Sequence, residues 1–133
     1  MLLPCPRGGA ITTHSAAAAR LVSDVSRGGF LAPTFLQLEF ASVLRQGEAR
    51  RSLSREQLEL LLRGVQSLPI RYAWEPNWTE RALEIARLAS QSKIYDSLYV
   101  ACAEAFDLPL LTCDGRFVNA LPPDLRRRVE LVA

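Results

Sequence analysis

Three carboxylates in this 133-residue chain occupy places where a purely structural account is incomplete: Glu39, Asp96 and Asp114. Glu39 follows Leu36 by three residues and precedes Val43 by four, so on a helix it lies on or beside the apolar stripe, where an acid needs a partner. An edge glutamate that reaches solvent or pairs with an Arg satisfies the same spacing. Asp96 opens the apolar run YDSLYVACAE, and a negative side chain in a first helical turn is favoured by the unpaired amides and the helix dipole. Asp114 ends the run LPLLTCD, at the carboxyl end of an expected strand, where open α/β sheets place ligands. A turn acid capping the next short helix would explain it equally well. Thr112 puts a hydroxyl nearby, or simply packs as a β-branched strand residue. Carboxylates that meet at such a place hold hard divalent cations, which take oxygen ligands, and they raise one another's pKa unless a cation is present.

Other ligand types are scarce. The single His14 and the cysteines Cys5, Cys102 and Cys113 form no paired-thiol motif, so a zinc site of His and Cys ligands is not expected and any metal must be held by oxygen. The odd cysteine number also argues against a disulfide framework and for a reducing cytoplasm. The start MLLPCPRGG has no charged n-region and its apolar run is broken by Pro4 and Pro6, which excludes a secretory signal or a membrane span and implies a soluble cytoplasmic protein. Sixteen basic against 14 acidic side chains give +2, too balanced for a protein that coats nucleic acid by charge alone.

The elements that must position the acids follow from periodicity. At this length one domain with one core is expected. SAAAARLVSDVS, from about Ser15 to Ser26, is helical by propensity and stops at Gly28 and Gly29. A short strand, Phe30 to Ala32, precedes a helix opened by Pro33 and ended at Gly47, with Leu36, Phe40, Val43 and Leu44 at helical spacing. Ser54 begins a second, amphipathic helix through Leu58, Leu61, Leu62 and Val65, which would pair with the first. The polar, Arg-rich stretch from Arg45 to Arg55 reads as their solvated connection. Ile70 to Trp74 is a strand. Asn77 or Thr79 caps the helix whose inner face is Ala82, Ile85, Ala86 and Ala89. A helix from about Tyr95, with Leu98, Tyr99, Cys102 and Phe106 on one stripe, leads to the strand LPLLT, a short helix through Phe117, the breakers Pro122 and Pro123, and a last strand RRVELV. Helices alternating with short apolar strands imply a parallel sheet covered on both faces.

In order and spacing, APTFLQLEFASVL with Ala32, Pro33 and Glu39, then YDSLYVACAE, then LLTCDGRF resemble the PIN-domain ribonucleases of the VapC type, over Phe30 to Val132. The resemblance implies an α/β, PIN-like three-layer fold with a short parallel sheet flanked by helices. Its opening strand, which ends in an aspartate, has no counterpart in MLLPCPRGGAITTHS, so that strand is expected to be absent or altered. The resemblance further implies that Glu39, Asp96 and Asp114 are the catalytic and metal-holding acids, around Mg2+ or Mn2+. The implied activity is hydrolysis of phosphodiester bonds in single-stranded RNA, as the toxin of a toxin-antitoxin pair. The implied partners are the RNA substrate, a cognate small antitoxin protein and a second copy in a homodimer, with no membrane. A PIN-fold remnant without catalysis, binding only antitoxin or RNA, is the alternative that the missing aspartate favours. A small phosphatase-like hydrolase is a third, weakened by the lack of a DxD pair after any strand. The run Arg126, Arg127 and Arg128 invites phosphate contacts or is a solvated face, and Trp74 and Trp78 either stack bases or pack in the core.

Overall fold

The computed structural model describes residues 23–132. Four strands and six helices follow a short helical stretch at 23–26: β1 (Phe30–Pro33), α1 (Phe35–Ala49), α2 (Arg55–Gln66), β2 (Ile70–Ala73), α3 (Trp78–Leu88), α4 (Tyr95–Ala105), β3 (Leu110–Thr112), α5 (Gly115–Ala120), α6 (Pro123–Arg126) and β4 (Val129–Leu131). Most of the helix expected from Ser15 lies outside the described residues.

Each strand pairing is parallel, as helical crossovers require. Phe30 aligns with Ile70 and Pro33 with Ala73 in one pair, and Leu110 with Val129 and Thr112 with Leu131 in the other. Among the described residues the strands therefore form two two-stranded parallel sheets, β1-β2 and β3-β4, where one continuous sheet was expected. The sequence pattern specifies strand type and direction, but not which strands share an edge.

Helix α4 joins the two halves. It packs on β1, on β3 and along α3, and every residue from Ser97 to Ala103 is buried. An apolar stripe would bury one side only; the middle of α4 is buried on all sides, while Tyr95 at its start, 41% exposed, and Phe106 just past its end, 36% exposed, reach the surface. The facing side of α3 is built from Ala82, Ile85, Ala86 and Ala89, as its spacing predicts, and small side chains there let the two helices approach closely. Arg81 of α3 fastens the pair, donating from Nε and Nη2 to both carboxylate oxygens of Glu104 at 2.8 and 2.9 Å and from Nη1 to Glu84 at 2.9 Å.

Helices α1 and α2 pack together as expected but stand largely outside the core. Leu36 is the one buried residue of α1, and α2 buries none. The start of α2 is a full capping box: Ser54 Oγ accepts from the Gln57 amide at 3.1 Å, and Gln57 Oε1 accepts from the Ser54 amide at 2.8 Å.

Two expected boundaries shift, both for tertiary reasons. Pro33 does not open α1; it is the last residue of β1, opposite Ala73, and the following Thr34 amide donates to the Ala73 carbonyl at 3.0 Å. Gly47 does not end α1, which runs on to Ala49. The chain instead reverses at Arg51, whose φ is +58°, and folds back so that a side chain on Gly47 would stand 2.7 Å from Leu53 Cδ1. Gly47 is thus a contact point for the returning loop. Gly47→Ala should change stability by no more than about 1 kcal/mol, because the gain from alanine as the better helix former offsets the shift forced on the partly exposed Leu53 side chain. Thermal unfolding of the variant checks the balance: a melting temperature well below that of the wild type would mean that Leu53 cannot move aside.

Candidate active site

The three acids come from α1, the first turn of α4 and the turn after β3. Helix α4 returns to β3 through a tight reversal in which the Leu108 amide donates to the Ala103 carbonyl at 2.9 Å. It therefore runs against the direction of β3, and its first turn lies at the carboxyl end of that strand. Asp96 is in this first turn, half-buried. Asp114 follows β3 by two residues at the same end. Glu39 arrives from α1, which begins where β1 stops.

The contact that brings Glu39 in is a hydrogen bond from the Tyr99 hydroxyl to Glu39 Oε2, spanning 60 residues of sequence. Tyr99 lies one turn after Asp96 on α4, and residues three apart on a helix are surface neighbours, so Glu39 and Asp96 share one flank of that helix. Glu39 is half-buried and accepts from a buried tyrosine. Tyr99→Phe removes one hydrogen bond that orients Glu39 and should lower stability by about 1 kcal/mol, read from chemical unfolding.

Asp114 does what the turn reading expected. Its Oδ1 accepts from the Phe117 amide at 3.0 Å and caps α5, while its own amide donates to Thr112 Oγ1 at 3.1 Å. Thr112, 2% exposed, is both strand packing and a brace for the acid's backbone. One Asp114 oxygen is committed to the cap and the side chain as a whole is exposed, so capping and a ligand role are geometrically compatible.

Among the described residues, no three side chains of His, Cys, Asp and Glu converge closely enough to hold a metal ion as they stand. The chemistry of the donor set nevertheless suits a hard divalent cation, since magnesium is commonly held by only one or two carboxylates and completed by water and substrate phosphate. The thiols are unsuited. Burial pushes the Cys102 thiol up to about 12 and raises that of Cys113 as well, so both are protonated at neutral pH.

The other residues singled out from sequence divide. Trp78 is core, 3% exposed and edge-on to Phe106 with ring centroids 5.9 Å apart, whereas Trp74 is 47% exposed. The arginine run is mostly spoken for: Arg126 donates to the carbonyls of Asn119 and Leu121, Arg127 pairs with Asp124, and Arg128 with Asp107. Two groups went unnoticed in the sequence. Ser97 Oγ is fully buried with no hydrogen-bond partner among the described residues, directly after Asp96. Phe35 and Tyr95, first residues of α1 and α4, stack with centroids 5.1 Å apart and planes 8° from parallel. Only the apposition of the two helix starts creates that pair.

Comparison with known proteins agrees with this architecture. The PIN domain model matches residues 11–120. The chain belongs to the PIN-domain family. It is 32% identical over 102 residues to Ribonuclease VapC12 of Mycobacterium tuberculosis strain H37Rv, covering 77% of this chain and 75% of that one. It is 34% identical over 102 residues to Ribonuclease VapC1 of the same strain, covering 76% and 73%. No solved structure matches. Glu39, Asp96 and Asp114 each fall inside the residues that the PIN-domain model matches.

Proposed function

We propose that this PIN domain is a metal-dependent endoribonuclease that hydrolyses phosphodiester bonds in single-stranded RNA, as the toxin of a toxin-antitoxin pair. The observation that supports the reading is the hydrogen bond from Tyr99 to Glu39, which ties an acid of α1 to α4 one turn after Asp96. The likeness to two VapC ribonucleases supports the same reaction class.

Glu39, Asp96 and Asp114 would hold Mg2+ or Mn2+. Such an ion, when bound, supplies a water of lowered pKa and neutralises phosphate charge. The chain's own contribution is positional. Tyr99 fixes the Glu39 carboxylate, the α5 cap fixes one Asp114 oxygen, and the buried body of α4 holds Asp96 at its mouth. The exposed apolar side chains of the α1-α2 hairpin, with Leu38 at 66% and Leu60 at 70% exposure, favour protein partners, consistent with an antitoxin and a second copy.

Magnesium titration followed by thermal unfolding tests the metal assignment without relying on activity. Ligand at 100 times its dissociation constant stabilises a protein by about 2.7 kcal/mol, so the melting temperature should rise with magnesium in the wild type and stay flat in Asp96→Asn. The lack of a preformed three-acid cluster among the described residues favours a second reading, a PIN-fold protein that binds RNA or antitoxin without cutting. RNA binding with no metal-induced stabilisation and no chelator-sensitive cleavage would establish that reading instead.

A further inference from the structure

The stacked pair Phe35 and Tyr95 stands at the margin of the core, with Phe35 packed against it. Phe35 is half-buried and lies flat on Tyr95, a residue that is 41% exposed. An exposed aromatic ring held rigid by a second ring has already given up its rotamer freedom, so stacking a further planar group on it costs little entropy. Tyr95 also adjoins Asp96 in the chain, with Cα atoms about 3.8 Å apart, within the span of one nucleotide. Cations flank it. Most arginines of the described chain are paired with carboxylates or carbonyls, whereas Lys93 and Arg116 are exposed and meet no such group among the described residues. Lys93 lies two residues before Tyr95, and Arg116 two residues after Asp114.

We propose that Tyr95, backed by Phe35, is a stacking platform for one unpaired base next to the phosphodiester addressed at Asp96, with Lys93 and Arg116 gripping the neighbouring phosphates. This rests on the nuclease reading for its placement, and it names what would make that site select single strands. A duplex buries its base faces in its own stack, so it offers nothing to Tyr95, whereas every unpaired base has a π face. The cations position the strand without reading sequence.

The test uses a fluorescein-labelled single-stranded RNA of mixed sequence and the same RNA annealed to its complement. Binding is measured by anisotropy in magnesium-free buffer in the Asp96→Asn background, and cleavage in the otherwise wild-type protein with magnesium. Tyr95→Leu, which keeps apolar bulk against Phe35, should weaken single-strand binding by about tenfold, and Tyr95→Phe and Tyr95→Trp should restore it. Duplex binding should not change. Lys93→Ala and Arg116→Ala together should flatten the salt dependence by about 0.7 in log-log slope for each phosphate no longer neutralised. Unchanged single-strand affinity in Tyr95→Leu, or equal losses for both RNAs, overturns the platform. If Tyr95→Phe falls as far as Tyr95→Leu, the hydroxyl and not the ring face binds, which also overturns it. Metal-dependent cleavage that survives Tyr95→Leu undiminished leaves the nuclease reading standing and removes the platform. Binding that follows the expected pattern in a protein that never cleaves does the reverse.

Discussion

Asp96→Asn is expected to abolish divalent-metal-dependent cleavage of single-stranded RNA while leaving the fold intact. The amide keeps the size and shape of the side chain and gives up the charge that would hold a cation. Charge stabilisation by a bound metal is several kcal/mol in a transition state, and each 1.4 kcal/mol is a factor of ten, so a loss of about 10²–10⁴ in rate is expected. The structural consequence should be small. Asp96 is half-buried in the first turn of α4, and the buried run from Ser97 to Ala103 that anchors the helix is untouched. The interaction with the helix dipole that the amide forgoes is worth about 0.3–1 kcal/mol. Cleavage of a labelled RNA with and without chelator, beside a thermal unfolding curve, gives both readouts. Undiminished, chelator-sensitive cleavage by the variant would remove Asp96 from the mechanism. A collapse of stability would show instead that its charge is structural.

The sequence made the individual acids visible but not the contact that holds Glu39. Asp96 and Asp114 stand at element ends, where local rules of helix entry and strand exit place them, and both are found there. Glu39 was identifiable only as an acid on the wrong side of a helix, because its partner Tyr99 is 60 residues away and looks from sequence like one more position of an apolar stripe. The same limit explains Trp78 and Trp74, adjacent in kind but opposite in exposure. It explains Gly47 and Pro33 too. Both are strong local signals, for helix end and helix start, and each is overruled by a contact from elsewhere, Leu53 in one case and the Ala73 strand partner in the other. Ser54 shows the converse: its capping box needs only Gln57, three residues on, so the local reading suffices.

Leu36→Ala should be the most damaging single truncation on α1, costing about 2–5 kcal/mol of a total near 5–15. Leu36 is wholly buried and is the one buried residue of its helix; Phe35 and Phe40 pack against the core only in part and cannot fill its place. Its removal should also reach the site. Phe35, which stacks on Tyr95, and Glu39, which accepts from Tyr99, depend on the seating of the same turn. Cleavage should therefore fall by more than the unfolded fraction alone explains. Leu38, two residues on, is the control: it is 66% exposed, and Leu38→Ala should change monomer stability by no more than about 0.5 kcal/mol. Urea unfolding should show a large drop in midpoint for the first variant with unchanged slope, and almost none for the second. Equal losses at every protein concentration would mean that α1 packs on a different side than the structure shows. A Leu38→Ala effect that grows as the protein is concentrated would mean that a second copy covers this face, because stability gained by association scales with protomer concentration.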